Sequence, residues 1–272
     1  MDPDGGLIDA GLLAAGHLHY DVQGSVLTLT LDRPAARNAQ TPATWRALAA
    51  VGAALPESVR IVVLRGAGES FSAGLDRAMF EPAGLPTEPS LLELAGWPAE
   101  RLDAAIAEFQ RGFTWLSRSD VVSVAVVQGH AVGAGFQLAL ACDLRVLADD
   151  AQLAMRETSL GLVPDLAGTA PLVRAVGYSR ALEICLTGRW VGAAEAAAIG
   201  LAEIVVRRSD LDATVADLVA ALLAPDAAAV RETKALLAGA QDRTPEAQQG
   251  AERAAQARRL RALAGGREAE SP

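Results

Sequence analysis

Stretches of strand-type and helix-type hydrophobic spacing alternate along this chain. Val26-Leu27-Thr28-Leu29-Thr30-Leu31 has the period-2 pattern of a half-buried strand, and Asp32-Arg33-Pro34 ends it. Ile61 to Leu64, Val121 to Val127 and Leu144 to Leu147 are continuous apolar runs, as in strands buried on both faces. Gln152 to Met155 and Leu201 to Val206 are shorter strand candidates. Between them, Thr41-Pro42 opens a helix whose apolar face carries Trp45, Leu48, Ala49 and Val51. Residues 99–117 set Leu102, Ile106, Phe109, Phe113 and Leu116 along one side of another helix. Gly133 to Ala141, Pro171 to Val176 and Arg180 to Leu186 are further helices, and alanine-rich helices follow from Ser209-Asp210 to Leu263. The alternation predicts an α/β core. Residues 1–16 read as a flexible leader or a marginal helix, 17–208 as the core, and 209–272 as a C-terminal helical region frayed from Gly265. Pro82, Pro86, Pro89 and Pro98 make residues 78–98 an expected mobile loop, able to act as a lid.

Composition narrows the function classes. The formal net charge of −9 argues against a nucleic-acid partner, which would need a basic stripe. It leaves room for a local arginine cluster that holds phosphates. No apolar stretch reaches membrane-spanning length without a charge or glycine, so no membrane partner is expected. Met1-Asp2-Pro3-Asp4 does not resemble a signal peptide, and the expected location is cytoplasmic. Cys142 and Cys185 lie in apolar runs and read as buried, reduced thiols. With three histidines and two cysteines, and only His17 and His19 at ligand spacing, no metal is expected.

The chemistry concentrates in two glycine-rich turns, Phe71-Ser72-Ala73-Gly74-Leu75-Asp76 and Gly129 to Gly135. Each follows a buried-type strand, and each can present a bare backbone N–H where the chain turns into a helix. Singly, either is an ordinary strand-to-helix turn; two such N–H groups aimed at one point form an oxyanion hole. Three further pieces accompany them: Leu31-Asp32-Arg33-Pro34-Ala35-Ala36-Arg37-Asn38-Ala39, Arg156 to Pro164, and Thr187-Gly188-Arg189. In this order and spacing, over residues 20–263, the chain resembles the crotonase superfamily, the enoyl-CoA hydratase/isomerase family.

The resemblance implies a ββα spiral core, C-terminal helices that build homotrimers often paired into hexamers, and an acyl-CoA thioester as ligand. It implies no separate cofactor, because coenzyme A is part of the substrate. The oxyanion donors would be the N–H groups of Leu75 and Ala134, the second at a helix start where the dipole favours an anion. A thioester enolate, with its charge on one oxygen, would bind there more tightly than the neutral carbonyl. The resemblance also puts Ala73, Gly74, Gly133 and Asp76 against the ligand, the Ala73 backbone near adenine and Arg37 near the nucleotide end. A lysine of some hydratases is replaced by Ala78, with Arg77 beside it as a substitute. Asp143 would be structural.

The proton-transfer groups depart from the hydratase pattern. Hydratases of the family set two glutamates about the double bond; here the first position is Gln137 and the second is Glu157, preceded by Arg156 instead of proline. An amide is not a useful base near neutral pH, and hydration needs both a base for water and an acid for the α-carbon. Isomerisation asks only that one base move a proton from the α- to the γ-carbon. The expectation is therefore an enoyl-CoA isomerase with Glu157 as shuttle. Asp165 keeps hydration open as a second carboxylate, and its spacing from Glu157 is that of the second proton carrier in dienoyl-CoA isomerases. Its other reading is the N-cap of a helix starting near Gly168 or Thr169. A reading of another class is an acyl-CoA-binding protein whose catalysis has decayed. The dinucleotide fingerprint G-x-G-x-x-G and the nucleophile elbow G-x-S-x-G are both absent, and His130 reads as a packed or wall residue.

Overall fold

The computed structural model describes residues 8–269. A six-stranded sheet holds β1 (Leu18–Gln23), β2 (Val26–Leu31), β3 (Ile61–Gly66), β4 (Val122–Val127), β6 (Leu144–Ala148) and β9 (Ile204–Val206), side by side in that order. A three-stranded sheet holds β5 (His130–Val132), β7 (Gln152–Ala154) and β8 (Val191–Gly192). The β1–β2 pair is antiparallel, and every later pairing in the large sheet is parallel.

The continuous apolar runs are explained by a sheet covered on both faces. Leu27, Leu29, Val62, Leu64, Ala125, Val127 and Leu147 share the main core with α2 (Pro42–Ala53) and α4 (Ala99–Thr114). There Trp45 meets Phe109 and Phe113 at centroid distances of 5.0 and 6.2 Å. The alternate residues Ile61, Val63, Val124, Val126, Val146 and Ala148 face the other way, against Leu211, Val215, Leu218 and Leu222 of α9 (Leu211–Leu223). The C-terminal region thus begins as a cover for the sheet. Lys234 of α10 (Ala227–Gly239) pairs with Asp143 at 2.6 Å and donates to the Val121 carbonyl. Arg258 and Arg259 of α11 (Pro245–Ala269) reach back to Glu232 and Asp226.

The path is a spiral. Two large-sheet strands pass to the small sheet and then to a helix: β4 to β5 to α5 (Ala134–Ala141), and β6 to β7 to α6 (Thr169–Val176) and α7 (Tyr178–Thr187). The chain after β3 reaches β5 through a single parallel bridge from Ser72 to Ala131, and the chain after β2 joins the first glycine turn through a bridge from Gln40 to Leu75. The spiral lays the two glycine turns side by side.

The structure decides three expectations. Residues 1–7 of the leader lie outside the described residues, but Ile8 is buried and Ala10–Gly16 form a helix, α1, capped by the Asp9 carboxylate on the Leu12 N–H. The 78–98 segment is built: Arg77–Phe80 is a 3-10 turn, Leu91–Ala95 is the helix α3, and buried Glu88 pairs with Arg46 of α2. α11 also runs past Leu263 to Ala269, while residues 270–272 lie outside the described residues. No single helix among the described residues is long and apolar enough to cross a membrane.

Candidate active site

The two turns are joined by backbone hydrogen bonds. Ser72 N–H donates to the His130 carbonyl at 2.9 Å, and Val132 N–H donates to the Ser72 carbonyl at 3.0 Å. On its other side the first turn is bonded to Gln40, whose N–H donates to Gly74 O at 2.7 Å and whose carbonyl accepts from Asp76 N–H at 2.8 Å. Gly74 O and Asp76 N–H therefore face Gln40, and the Leu75 N–H between them faces the opposite way. Gly74 has φ 86°, and a Cβ there would lie 2.4 Å from Val132 O and 3.6 Å from Ala134 N. Ala134 is the first residue of α5, so its N–H has no acceptor within the helix. Neither the Leu75 nor the Ala134 N–H donates to any turn or loop carbonyl among the described residues. The Leu75 and Ala134 N–H groups thus stand without a turn or loop acceptor, in two turns bonded to one another.

A buried polar network beneath the turns was not read from the sequence. Ser72 Oγ donates to Asn38 O at 2.8 Å and accepts from Gly74 N–H and from Gln40 Nε2. Gln40 Oε1 accepts from Trp45 Nε1 at 2.9 Å. Asn38 Nδ2 donates to the carbonyls of Ala67, Ser70 and Phe71. Asn38, Gln40 and Ser72 are each at most 2 % exposed, so these bonds are made in a low-dielectric setting where leaving one unmade is costly. The available signal was Asn38 and Gln40 in the short link between β2 and α2, together with Ser72 in the first glycine turn.

Glu157 opens a one-turn 3-10 helix just after β7 and is 9 % exposed. Its carboxylate lies against Gly133, the φ 51° residue before α5: a Cβ at 133 would be 3.3 Å from Glu157 Oε1 and 3.8 Å from Oε2. Oε1 accepts from Gln137 Nε2 at 2.6 Å, while Oε2 is buried without a hydrogen-bond partner. Burial pushes the Glu157 carboxyl above the ordinary carboxylate range; the Gln137 hydrogen bond opposes this and the Asp165 charge adds to it. Burial raises Asp165 as well. Gly168, not Asp165, is the N-cap of α6, so the capping alternative falls. Asp165 is held by its carbonyl, which accepts from Gln110 Nε2 at 2.7 Å. Gln110 lies among Ile106, Phe109 and Phe113 in the apolar spacing of α4, a polar interruption that marks it in the sequence.

The remaining candidates separate. The Arg37 carbonyl accepts from Ala73 N–H at 2.8 Å, fixing that backbone, while the Arg37 and Arg77 side chains are exposed. Asp76 is committed to the protein: it pairs with Arg33 and caps Ala78 N–H at 2.9 Å. Burial raises its carboxyl, but these partners overcome that and hold it below the ordinary range. His130 lies between Ser70 Oγ and the edge of Trp190, a wall position. Asp143 accepts from Ser123 and Lys234, which fits a structural role. Cys142 is buried, its thiol pushed up to about 12 by that burial; Cys185 is only half-buried, less enclosed than its apolar run suggested.

The arrangement can stabilise an oxyanion beside a buried carboxylate of raised proton affinity. A family model described as enoyl-CoA hydratase/isomerase matches residues 21–261. A solved structure described as a "putative enoyl-CoA hydratase" from Thermobifida fusca, in complex with CoA, is 50 % identical, covers 96 % of this chain and 99 % of its own, and superposes with a TM-score of 0.90. The complex with acetoacetyl-CoA is 52 % identical over 93 % of this chain and 98 % of its own, with a TM-score of 0.89. A probable enoyl-CoA hydratase of Rhizobium meliloti is 33 % identical, covering 70 % of this chain and 68 % of that protein. A peroxisomal Delta(3,5)-Delta(2,4)-dienoyl-CoA isomerase of Arabidopsis thaliana is 28 % identical, covering 81 % and 80 % respectively.

Proposed function

The chain belongs to the enoyl-CoA hydratase/isomerase family and is an enzyme of it, and we propose that it shifts a carbon–carbon double bond in an enoyl-CoA. The thioester oxygen accepts from the N–H groups of Leu75 and Ala134. Glu157 removes a proton from the α-carbon, the charge spreads to the thioester oxygen as a dienolate, and the same carboxyl returns the proton at the γ-carbon. The two amide donors bind the enolate more strongly than the neutral thioester, which lowers the barrier. Coenzyme A arrives and leaves with the substrate, and the cycle uses no other cofactor.

The observation that carries this reading is the state of Gln137. It is fully buried, with its amide spanning Glu157 Oε1 and the Leu166 N–H, at the place where hydration would need a second carboxylate. Hydration is the second reading, favoured by Asp165, whose charge reaches Glu157 and can supply the missing acid–base group. Backbone contacts at Ala73 and Gly74, with Arg37 and Arg77 at the nucleotide end, are the proposed binding contacts. The proposal extends to a homotrimer or hexamer in the cytoplasm, supported by exposed Tyr178, Leu182 and Leu186 along α7.

The test is mass spectrometry of the purified protein with a 3-enoyl-CoA and a trans-2-enoyl-CoA, beside Glu157→Gln. The expected result is isomerisation of the first, lost in the variant. A 3-hydroxyacyl-CoA formed from the second, and lost in the variant, overturns isomerisation in favour of hydration. Tight binding with no α-proton exchange into deuterated water would leave a binding protein.

A further inference from the structure

We infer that Gln137 is a positioning residue: it turns Glu157 so that Oε2 meets the substrate, and it sets that orientation from the backbone of the Asp165 segment. The inference rests on the reading of Glu157 as the proton carrier.

Hydrogen-bond chemistry settles the direction of the amide. The Leu166 backbone N–H can only donate, and it lies 2.9 Å from Gln137 Oε1. The oxygen end of the amide is therefore directed at Leu166, and the NH₂ end must be the one facing Glu157, 2.6 Å from Oε1. Gln137 is fully buried. A Cβ at Gly168 would be 2.6 Å from Gln137 Cγ and 3.0 Å from its Oε1, so the chain at 168 closes directly on the amide stem. With Oε1 engaged, the carboxylate's remaining acceptor is Oε2, which is buried and has no partner in the protein. An unpartnered buried carboxylate oxygen is unfavourable for stability and suited to accepting a proton. Leu166 adjoins Asp165, so the same bond that orients Gln137 also fixes the approach of the second carboxyl.

Two substitutions separate positioning from mere packing. Gln137→Met fills similar space and has no donor. It should lower kcat by about 10²-fold with KM little changed, the scale of a reacting group misplaced by about 1 Å. It should also move the acidic limb of the pH profile upward, because the bond favouring ionised Glu157 is gone. Gln137→Glu still accepts from Leu166, but can donate to Glu157 only while the pair retains one proton. Its activity should approach wild type at low pH and fall along a new alkaline limb. Profiles of both variants that superimpose on wild type would overturn the inference. Glu157→Gln, assayed in parallel, separates two failures. If it keeps full exchange activity, Glu157 is not the proton carrier and the inference falls with that reading. If it is inactive while Gln137→Met matches wild type, the inference falls alone. Should the Met variant not fold, the alkaline limb of Gln137→Glu still decides.

Discussion

Gly74→Ala isolates the paired N–H groups from the rest of the fold. A Cβ at 74 would lie 2.4 Å from the Val132 carbonyl oxygen and 3.2 Å from its carbon, both backbone atoms. Relief requires the first turn to separate from the β5–α5 turn by roughly 0.6–1 Å to restore ordinary contact, and each turn carries one donor. Misplacement by about 1 Å costs about 10²-fold, and loss of one oxyanion donor costs about 10²–10³ in kcat, or about 2.7–4 kcal/mol. The φ of 86° adds about 1–2 kcal/mol of strain for a residue with a side chain. Gly177→Ala is the control: its φ is 77°, but nothing lies within 4 Å of its Cβ. Both variants should melt a few degrees below wild type, about 1–3 kcal/mol in stability. Only Gly74→Ala should lose 10²–10³ in kcat and in α-proton exchange. A folded Gly74→Ala protein that exchanges at the wild-type rate would refute the assignment of Leu75 and Ala134 as donors.

Three further outcomes are expected. Glu157 has its pKa raised by folding, so the folded state holds its proton to higher pH than the unfolded chain does, and the wild type loses stability as pH rises through that interval. Glu157→Gln lacks this loss, and urea titrations should find it more stable than wild type at pH 8, with the difference shrinking toward pH 5. Asn38→Ala leaves the Ala67, Ser70 and Phe71 carbonyls without their shared donor, and should lower unfolding free energy by about 2–4 kcal/mol in the same titrations. Cys142, with its thiol pushed up to about 12 by burial, should stay unmodified by a thiol reagent at pH 8 in the native protein and react only after denaturation; modification of Cys142 in the native state would show that the site opens.

What was legible in the sequence follows from how far each element depends on distant partners. β2, β3, β4 and β6 announce themselves because both faces of the sheet are covered and the runs are apolar throughout. β5 and β8 have three and two residues and exist only through their pairing with β7. β1 does alternate Leu18, Tyr20 and Val22 inward, but His19, Asp21 and Gln23 break up the run. The prolines of 78–98 suggested mobility, while the Arg46–Glu88 ion pair that anchors the segment joins residues far apart in the chain. At the site, the glycine turns and Glu157 were readable from motif spacing. The contact of Gln137 with both Glu157 and Leu166 was not, since it depends on the end of β7 returning beside the first turn of α5.

The cover that α9 places on the large sheet has a consequence for how the polypeptide reaches this state. Ile61, Val63, Val124, Val126 and Val146 face α9, which begins only at Leu211. Apart from the β1–β2 hairpin, the large sheet is assembled from parallel pairings that must wait for long intervening segments, a topology that folds slowly. At translation speeds of about 5–20 residues per second, the β3 side of that apolar face emerges roughly 8–30 seconds before its helical cover. During synthesis the face is a sticky surface that chaperones or premature association can reach, and a chain halted before residue 211 would keep it so.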